Sequence, residues 1–393
     1  MPDGGLGPGS RAGPSSGSRA AQPQRTGLAR TNRAPGIMAS QHSQAEADAL
    51  IAKSQALSDG SPLAQAALAV AECHPRPGAG DPRRAVELAK RADDGTVRSI
   101  ALDWLTFANL ADDDIAEAVR TARRRLELLD TLPVGPLTGF EFADDYLMAA
   151  EVDLAAGDLP GAAAHADALA DLPFYRHEDH LAMSRRLLVD ALAGHFDDVV
   201  QTGERFRAGW ERAGRPVAPN LARAPYAVAM VHGMRGDDER RAAWVRLTID
   251  LGADPEQLAG CQRGWPPVFD GLLALDRNDP AAAVRRLAAD IDDPELSQSW
   301  DFATWRPWYA ALWAEAAALG RYPDAAARVN RSRHAARDNP IATAIVERAA
   351  AITTGDRETL VRLAITFAQL GCPYQQARTG RIAAGPLARH QSP

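Results

Sequence analysis

The chain has 393 residues, 46% of them hydrophobic, and a net charge of −7, which suits one large globular domain or two to three ordinary ones. Arg11, Arg19, Arg25, Arg30 and Arg33 against Asp3 make residues 1–37 +4, which leaves −11 on the remainder. An acidic body lacks the phosphate-neutralising cations that sequence-independent nucleic-acid binding needs.

Cys73, Cys261 and Cys372 follow neither a zinc-site nor a disulfide spacing. No apolar run has the length of a signal peptide core or a membrane span. A reducing cytoplasmic setting is expected. Lys53 and Lys90 are the only lysines, an arginine bias that points to a GC-rich coding genome.

Residues 1–40 are rich in Gly, Pro, Ser and Arg and have too little apolar surface to offset the entropy of ordering, so this stretch is expected to be a disordered basic tail. Met38 offers an alternative start to Met1. Gly13-Pro-Ser15-Ser-Gly17 matches a nucleophile-elbow string and Gly7-Pro-Gly9-Ser-Arg-Ala12 a dinucleotide string. Both need a strand before and a helix after, and neither has one.

Helical periodicity begins near Ser43 and does not stop. It predicts helices over 43–58, 62–73, 82–92, 96–109 and 112–130, then a loop at Leu132-Pro-Val-Gly-Pro136. Further helices are predicted over 139–156, 159–171, 177–193, 196–213, 219–234 and 237–251. The last set covers 255–276, 280–290, 302–319, 323–337, 340–354, 356–370 and 374–383, with no alternating strand pattern anywhere. The fold class is all-α.

Short turns recur along this series, at Gly80-Asp-Pro, Asp112-Asp-Asp, Gly157-Asp-Leu-Pro, Gly194-His-Phe-Asp, Gly236-Asp-Asp, Asn278-Asp-Pro, Gly320-Arg-Tyr-Pro and Gly355-Asp-Arg. From Gly157 onward they step by 37, 42, 42, 42 and 35 residues. Gly or Asn supplies a left-handed helix end, and Asp or Pro opens the next helix. One hairpin cannot bury its own apolar face, so neighbours must stack. The expected domain, residues 41–385, is a right-handed α-solenoid of tetratricopeptide-like helical hairpins with a concave inner surface, followed by a flexible 386–393. The alternative architecture is a globular bundle without open curvature.

Candidate sites are few. His177-Glu-Asp-His180 places two imidazoles at i and i+3 without a third ligand, so no metal is expected. The acidic pairs at 93–94, 112–114, 144–145, 197–198, 237–238 and 292–293 read as helix starts and turns. Arginine runs such as Arg123-Arg-Arg125 and Arg240-Arg241 read as solvated faces. The cysteines read as buried thiols. Four of the eight tryptophans fall in Trp300–Trp313; Trp305 and Trp313 read as core, and Arg306, Trp308 and Tyr309 as the candidate partner-binding residues. No catalytic residue is expected, and no cofactor.

Four strings carry a family resemblance. They are Trp305-Arg-Pro-Trp308-Tyr309 with Ala314-Glu315-Ala316, Asn339-Pro340 through Glu347-Arg348-Ala349, Ala364 to Phe367, and Gly371-Cys372-Pro373-Tyr374-Gln375-Gln376-Ala377-Arg378-Thr379. Over residues 95–385 the chain resembles the helical-repeat region of large LuxR-type transcriptional regulators and related multidomain ATPases of actinobacteria. The resemblance implies a repeat scaffold whose structural signature here is Gly157, Gly194, Gly236, Gly320, Gly371, Pro373, Tyr374 and Ala377. Tyr374 is expected to plug the preceding hairpin, and Ala377 to permit close packing.

That family also carries a P-loop ATPase and a DNA-binding helix-turn-helix. Neither Lys53 nor Lys90 lies in Gly-x-x-x-x-Gly-Lys-[Ser/Thr], and the stretch after Arg381 is too short for a DNA-binding module. Nucleotide binding and direct DNA binding are not carried over. The expected function is a non-catalytic scaffold or sensor that binds a protein, peptide or small ligand in transcription regulation. The alternatives are a truncated regulator fragment working with a separate ATPase or DNA-binding partner, and an all-α enzyme.

Overall fold

The computed structural model describes residues 44–56, 58–73, 80–135, 138–173, 179–260, 264–293 and 300–385. The chain divides into two units, Met1–Arg33 and Ala34–Pro393, and every described residue belongs to the second. The expected tail, its two catalytic-looking strings and the flexible 386–393 lie outside the described residues.

The described residues are helical, with no strand among them. The helices are α1 (Gln44–Ala56), α2 (Pro62–Cys73), α3 (Pro82–Ala92), α4 (Gly95–Ala111), α5 (Ile115–Leu126), α6 (Gly139–Ala156) and α7 (Leu159–Asp171). They continue with α8 (Asp179–Ala193), α9 (Phe196–Arg212), α10 (Arg223–Met234), α11 (Asp238–Asp250), α12 (Pro255–Gly260) and α13 (Trp265–Asp276). The last are α14 (Pro280–Arg286), α15 (Trp300–Leu319), α16 (Ala325–Ala336), α17 (Pro340–Thr354), α18 (Arg357–Gln369) and α19 (Pro373–Ala384). The single helix expected over 255–276 is two: Gly264 sits at φ 69° and Pro266 follows inside α13, so the backbone turns there. The helix expected over 280–290 ends at Arg286.

Helix ends follow their local chemistry. Asp81, Asp94, Asp114, Asp158, Asp237, Asp279, Asn339 and Asp356 each cap the following helix by accepting from a backbone N–H two or three residues on. Each hairpin turn also holds one left-handed residue: Asp113, Gly157, Gly194, Gly236, Asn278, Arg321 and Gly355. Gly320 is not among them. α15 ends at Leu319 and the left-handed residue is the next one along, Arg321 at φ 55°.

The hairpins α4–α5, α6–α7, α8–α9, α10–α11, α13–α14, α15–α16 and α17–α18 lie side by side in chain order. Their first helices also pack on one another in succession, α4 on α6, α6 on α8, and so on to α15 on α17. Three contacts break this local order. α15 packs on α4 and α6, and α19 packs on α8.

The two kinds of helix therefore bury differently. Every residue of α10 from Arg223 to Gly233 is buried, and so is every residue of α15 from Phe302 to Ala318 except Arg306. α5 buries one stripe, Ile115, Ala118, Thr121, Ala122 and Arg125. From α6 to α15 the first helices have neighbours on all sides, so the open concave surface expected there is absent among the described residues. Their apolar burial, at about 1.5–3 kcal/mol per large side chain, is what holds the row together.

Candidate functional site

The row of first helices is buried all round yet carries charge. On α6, Asp144, Asp145 and Glu151 lie three, four and ten residues beyond Glu141, which puts the four along one face. That face meets Arg125 of α5, which is 1% exposed. Its Nη1 lies 2.5 Å from Asp103 Oδ1 of α4 and its Nε 2.5 Å from Asp145 Oδ1. Its Nη2 lies 2.8 Å from Asp144 Oδ2 and 3.2 Å from Glu141 Oε2. The Ser99 hydroxyl donates to Glu141 Oε2 at 3.0 Å.

One guanidinium thus serves four carboxylates. Burial, and then the neighbouring carboxylates, outweigh Arg125 and push Asp103 up to about 7. The same causes raise Glu141 and hold Asp145 well above the usual carboxylate range. Further along α6 the balance reverses. Glu151 Oε1 lies 2.8 Å from Arg185 Nε of α8 and also accepts from Arg223 Nη2 of α10. Burial, with Arg223 adding to it, outweighs Glu151 and brings the Arg185 guanidinium down to about 10.

A second network sits at the other end. Glu315 of α15, fully buried, accepts from Arg348 of α17 at 2.6 and 3.1 Å and from Arg378 of α19 at 2.8 Å on both oxygens. Arg348 donates onward to Gln375 Oε1 and Thr379 Oγ1, each at 2.8 Å. Burial alone would raise Glu315; the two guanidiniums outweigh it and keep the carboxyl below its ordinary value. Three of the four strings that carry the family resemblance, those with Glu315, Arg348 and Arg378, therefore meet at one point in space.

The residues singled out in the sequence are placed as follows. Trp308 is 2% exposed and its Nε1–H donates to the Leu154 carbonyl at 2.8 Å. Tyr309 is fully buried and its hydroxyl donates to the Ala289 carbonyl at 3.0 Å. Neither presents surface to a partner, because α15 is enclosed by α4, α6, α13 and α17. Arg306 is held by Asp113 at 2.9 Å. Trp305 and Trp313 are core, as expected.

Arg125 and Asp145 are not solvated or turn residues but the centre of the first network. The signal was available: α6 carries five carboxylates, Glu141, Asp144, Asp145, Glu151 and Asp153, and no basic residue. Ala377 is exposed, so close packing is not its role. Tyr374 does not plug the preceding hairpin. It packs on Phe196 at 5.1 Å between ring centres, and its hydroxyl donates to Asp276 Oδ1 at 3.2 Å. Pro373 opens α19, as expected.

His177 and Cys261 lie outside the described residues. His180 is buried against Phe206. Burial pushes the Cys73 thiol up to about 12 and Cys372 to about 11, which makes both poor nucleophiles at neutral pH.

Surface concavities are shallow. One of about 300 Å³ runs between α9 and α11, lined by Arg207, Trp210, Arg215, Arg246 and Asp250. Another of about 420 Å³ lies where α16, α17 and α18 meet, lined by Arg337, Thr343, Glu347 and Leu363. No described helix is long and apolar enough to cross a membrane. No family model matches the chain, and none of the curated proteins matches it.

Proposed function

We propose that this chain is an α-solenoid of tetratricopeptide-like hairpins that acts as a non-catalytic scaffold or sensor. It takes a protein or peptide partner in the cytoplasm, in regulation related to LuxR-type systems of actinobacteria. The single observation that carries this reading is the ordered stacking of hairpins, each on the next, with capped Asp starts and left-handed turns.

The inner row is filled by its own apolar side chains and ionic networks, so the partner docks on the outer helices. The α9–α11 groove offers the chemistry for it: an exposed Arg246 beside Arg207 stacked over Trp244 and Arg215 stacked over Trp210. Arginine with aromatic support is the usual make-up of an interface anchor.

Affinity capture from the native host in replicate, followed by hydrogen exchange on the purified complex, tests the reading. A recurrent partner that protects 207–215 and 243–250, and whose capture falls at least tenfold with Arg246→Glu, is the expected result. The absence of any reproducible partner would count against it.

A further inference from the structure

The chain covers part of its own turn edge. The α4–α5 and α6–α7 turns both hold the α16–α17 junction: Asp113 Oδ2 lies 3.1 Å from Arg337 Nη1, and Asn339 Nδ2 donates to the Ala155 carbonyl at 3.0 Å. A Cβ on Gly157 would lie 2.4 Å from Asn339 Oδ1. The α8–α9 turn holds the start of α19, and a Cβ on Gly194 would lie 2.2 Å from Tyr374 Cβ. Tyr374 also reaches Phe196, so α19 covers the first turn of α9. The far end of α9 is different. α9 packs chiefly on α8 and α10, α11 packs on α10, and the C-terminal halves of these two outer helices leave a groove between them.

That groove is built from arginine laid on tryptophan. Arg207 Cζ lies 5.3 Å from the centre of the Trp244 ring, and Arg215 Cζ 5.9 Å from that of Trp210. Glu204 and Glu211 hold these two arginines through exposed i,i+3 and i,i+4 pairs. Exposed pairs of this kind are weak, so they exchange readily for a partner's carboxylate. Arg246 lines the other wall; it is exposed and makes no hydrogen bond or ion pair with the described residues.

At the mouth of the groove the loop after α9 is pinned twice. The Trp210 Nε1–H donates to the Pro216 carbonyl at 2.9 Å, and the Ala218 N–H donates to the Leu251 carbonyl at 2.9 Å. Between these two bonds Val217 is 73% exposed. A loop held on both sides presents that side chain without further ordering, which lowers the cost of docking on it.

Charge decides what fits. Residues 204–215 and 243–250 carry five arginines against three carboxylates, a net +2 in a chain of net −7. Exposed charges more than about 8 Å away are largely screened at physiological ionic strength, so an occupant feels the groove more than the acidic body. Guanidiniums pair with carboxylates through two parallel hydrogen bonds. At about 300 Å³ the groove is at the small end of ligand-sized sites, with room for a short segment rather than a domain.

We propose that the α9–α11 groove takes an acidic linear peptide of a partner protein. Its carboxylates pair with Arg207, Arg215 and Arg246, and an apolar side chain next to them covers Val217. The inference rests on the docking reading above and names the partner's chemistry.

Selection from a random dodecapeptide library displayed on phage, against the full chain, tests it, followed by fluorescence anisotropy of the enriched peptides. The expected sequences are net acidic with at least one large apolar residue, and bind at least about tenfold more weakly to Arg246→Glu. Asp250→Asn, which removes a competing carboxylate from the lining, should bind them more tightly. Both positions are exposed, so both variants should keep wild-type helical circular dichroism; if Arg246→Glu does not, Arg246→Ala takes its place.

A selection that enriches nothing, or that enriches neutral or basic sequences, overturns the proposal. So do acidic peptides that bind Arg246→Glu as they bind wild type, or that Asp250→Asn does not tighten. A host partner that protects 207–215 and 243–250 with a segment free of acidic residues overturns it while the scaffold reading stands. Recurrent acidic peptides without any host partner support this inference and count against that reading.

Discussion

The two ends of the array solve the same problem with opposite charge balances. Around Arg125, four carboxylates share one guanidinium. Around Glu315, two guanidiniums share one carboxylate. A buried guanidinium cannot shed its proton at working pH, whereas a buried carboxylate can take one up. The first network therefore adjusts its charge by binding protons, and the second must be satisfied by geometry, through the bidentate Glu315 contacts and the Gln375 and Thr379 acceptors. The difference teaches that an acidic excess inside a protein is soft and an arginine excess is hard.

The largest expected effect lies in the hard network. Glu315→Ala leaves Arg348 and Arg378 buried without a counter-ion and should cost about 3–5 kcal/mol. Urea unfolding should show that cost unchanged between pH 5 and pH 9, because the arginines stay charged throughout. Arg125→Met breaks the soft network with a cost of similar order, about 3 kcal/mol, at pH 8. There the comparison sharpens: this cost should shrink at pH 5, where the stranded carboxylates take up protons.

A turn that receives a later helix can be set against one that does not. Gly194→Ala meets both a left-handed φ of 94° and the Tyr374 side chain, and Gly236→Ala meets only the φ. The first should cost at least about 2 kcal/mol and the second about 1 kcal/mol, read from unfolding midpoints. Thr379→Val removes one acceptor from Arg348 and should cost about 1 kcal/mol.

One effect has an unusual sign. Folding raises Asp103 from its free value of 3.8 to about 7. Its contribution is therefore fully present below pH 3.8 and lost as pH rises through about 7. Glu315 behaves oppositely: its folded value is lowered, so its contribution is present above its ordinary 4.5 and lost as pH falls through the folded value. Wild-type stability should be greatest near pH 4, decline as pH rises to about 7 and level off above it. Asp103→Asn should flatten that decline; an unchanged slope in denaturation curves would show that Asp103 is not its source.

What was legible in the sequence is what local chemistry decides. The helix positions, the Asp caps and most left-handed turns follow from neighbours within four residues. Gly320 misled because glycine permits a left-handed φ without requiring it, and Arg321 took the position. Trp308 and Tyr309 misled because an aromatic cluster reads alike in a groove and in a core. The long-range contacts of Tyr374, Asn339 and Asp113 had no signature in a period of 35 to 42 residues, since each joins elements several hairpins apart. Buried charge was visible on α6, but its meaning depended on Arg125 arriving from the neighbouring helix.

The central claim is that the row of hairpins returns on itself, so that early turns hold late helices. Thiols at Asp113→Cys and Arg337→Cys, in a chain whose Cys73, Cys261 and Cys372 are changed to Ala, measure this directly. A bismaleimide that spans on the order of 10 Å, less than the roughly 13 Å radius of gyration of even a 100-residue domain, is added at low protein concentration. An intramolecular cross-link, seen as a faster band in denaturing electrophoresis, is the predicted result. Two thiols that each react with a monomaleimide yet never bridge would contradict it.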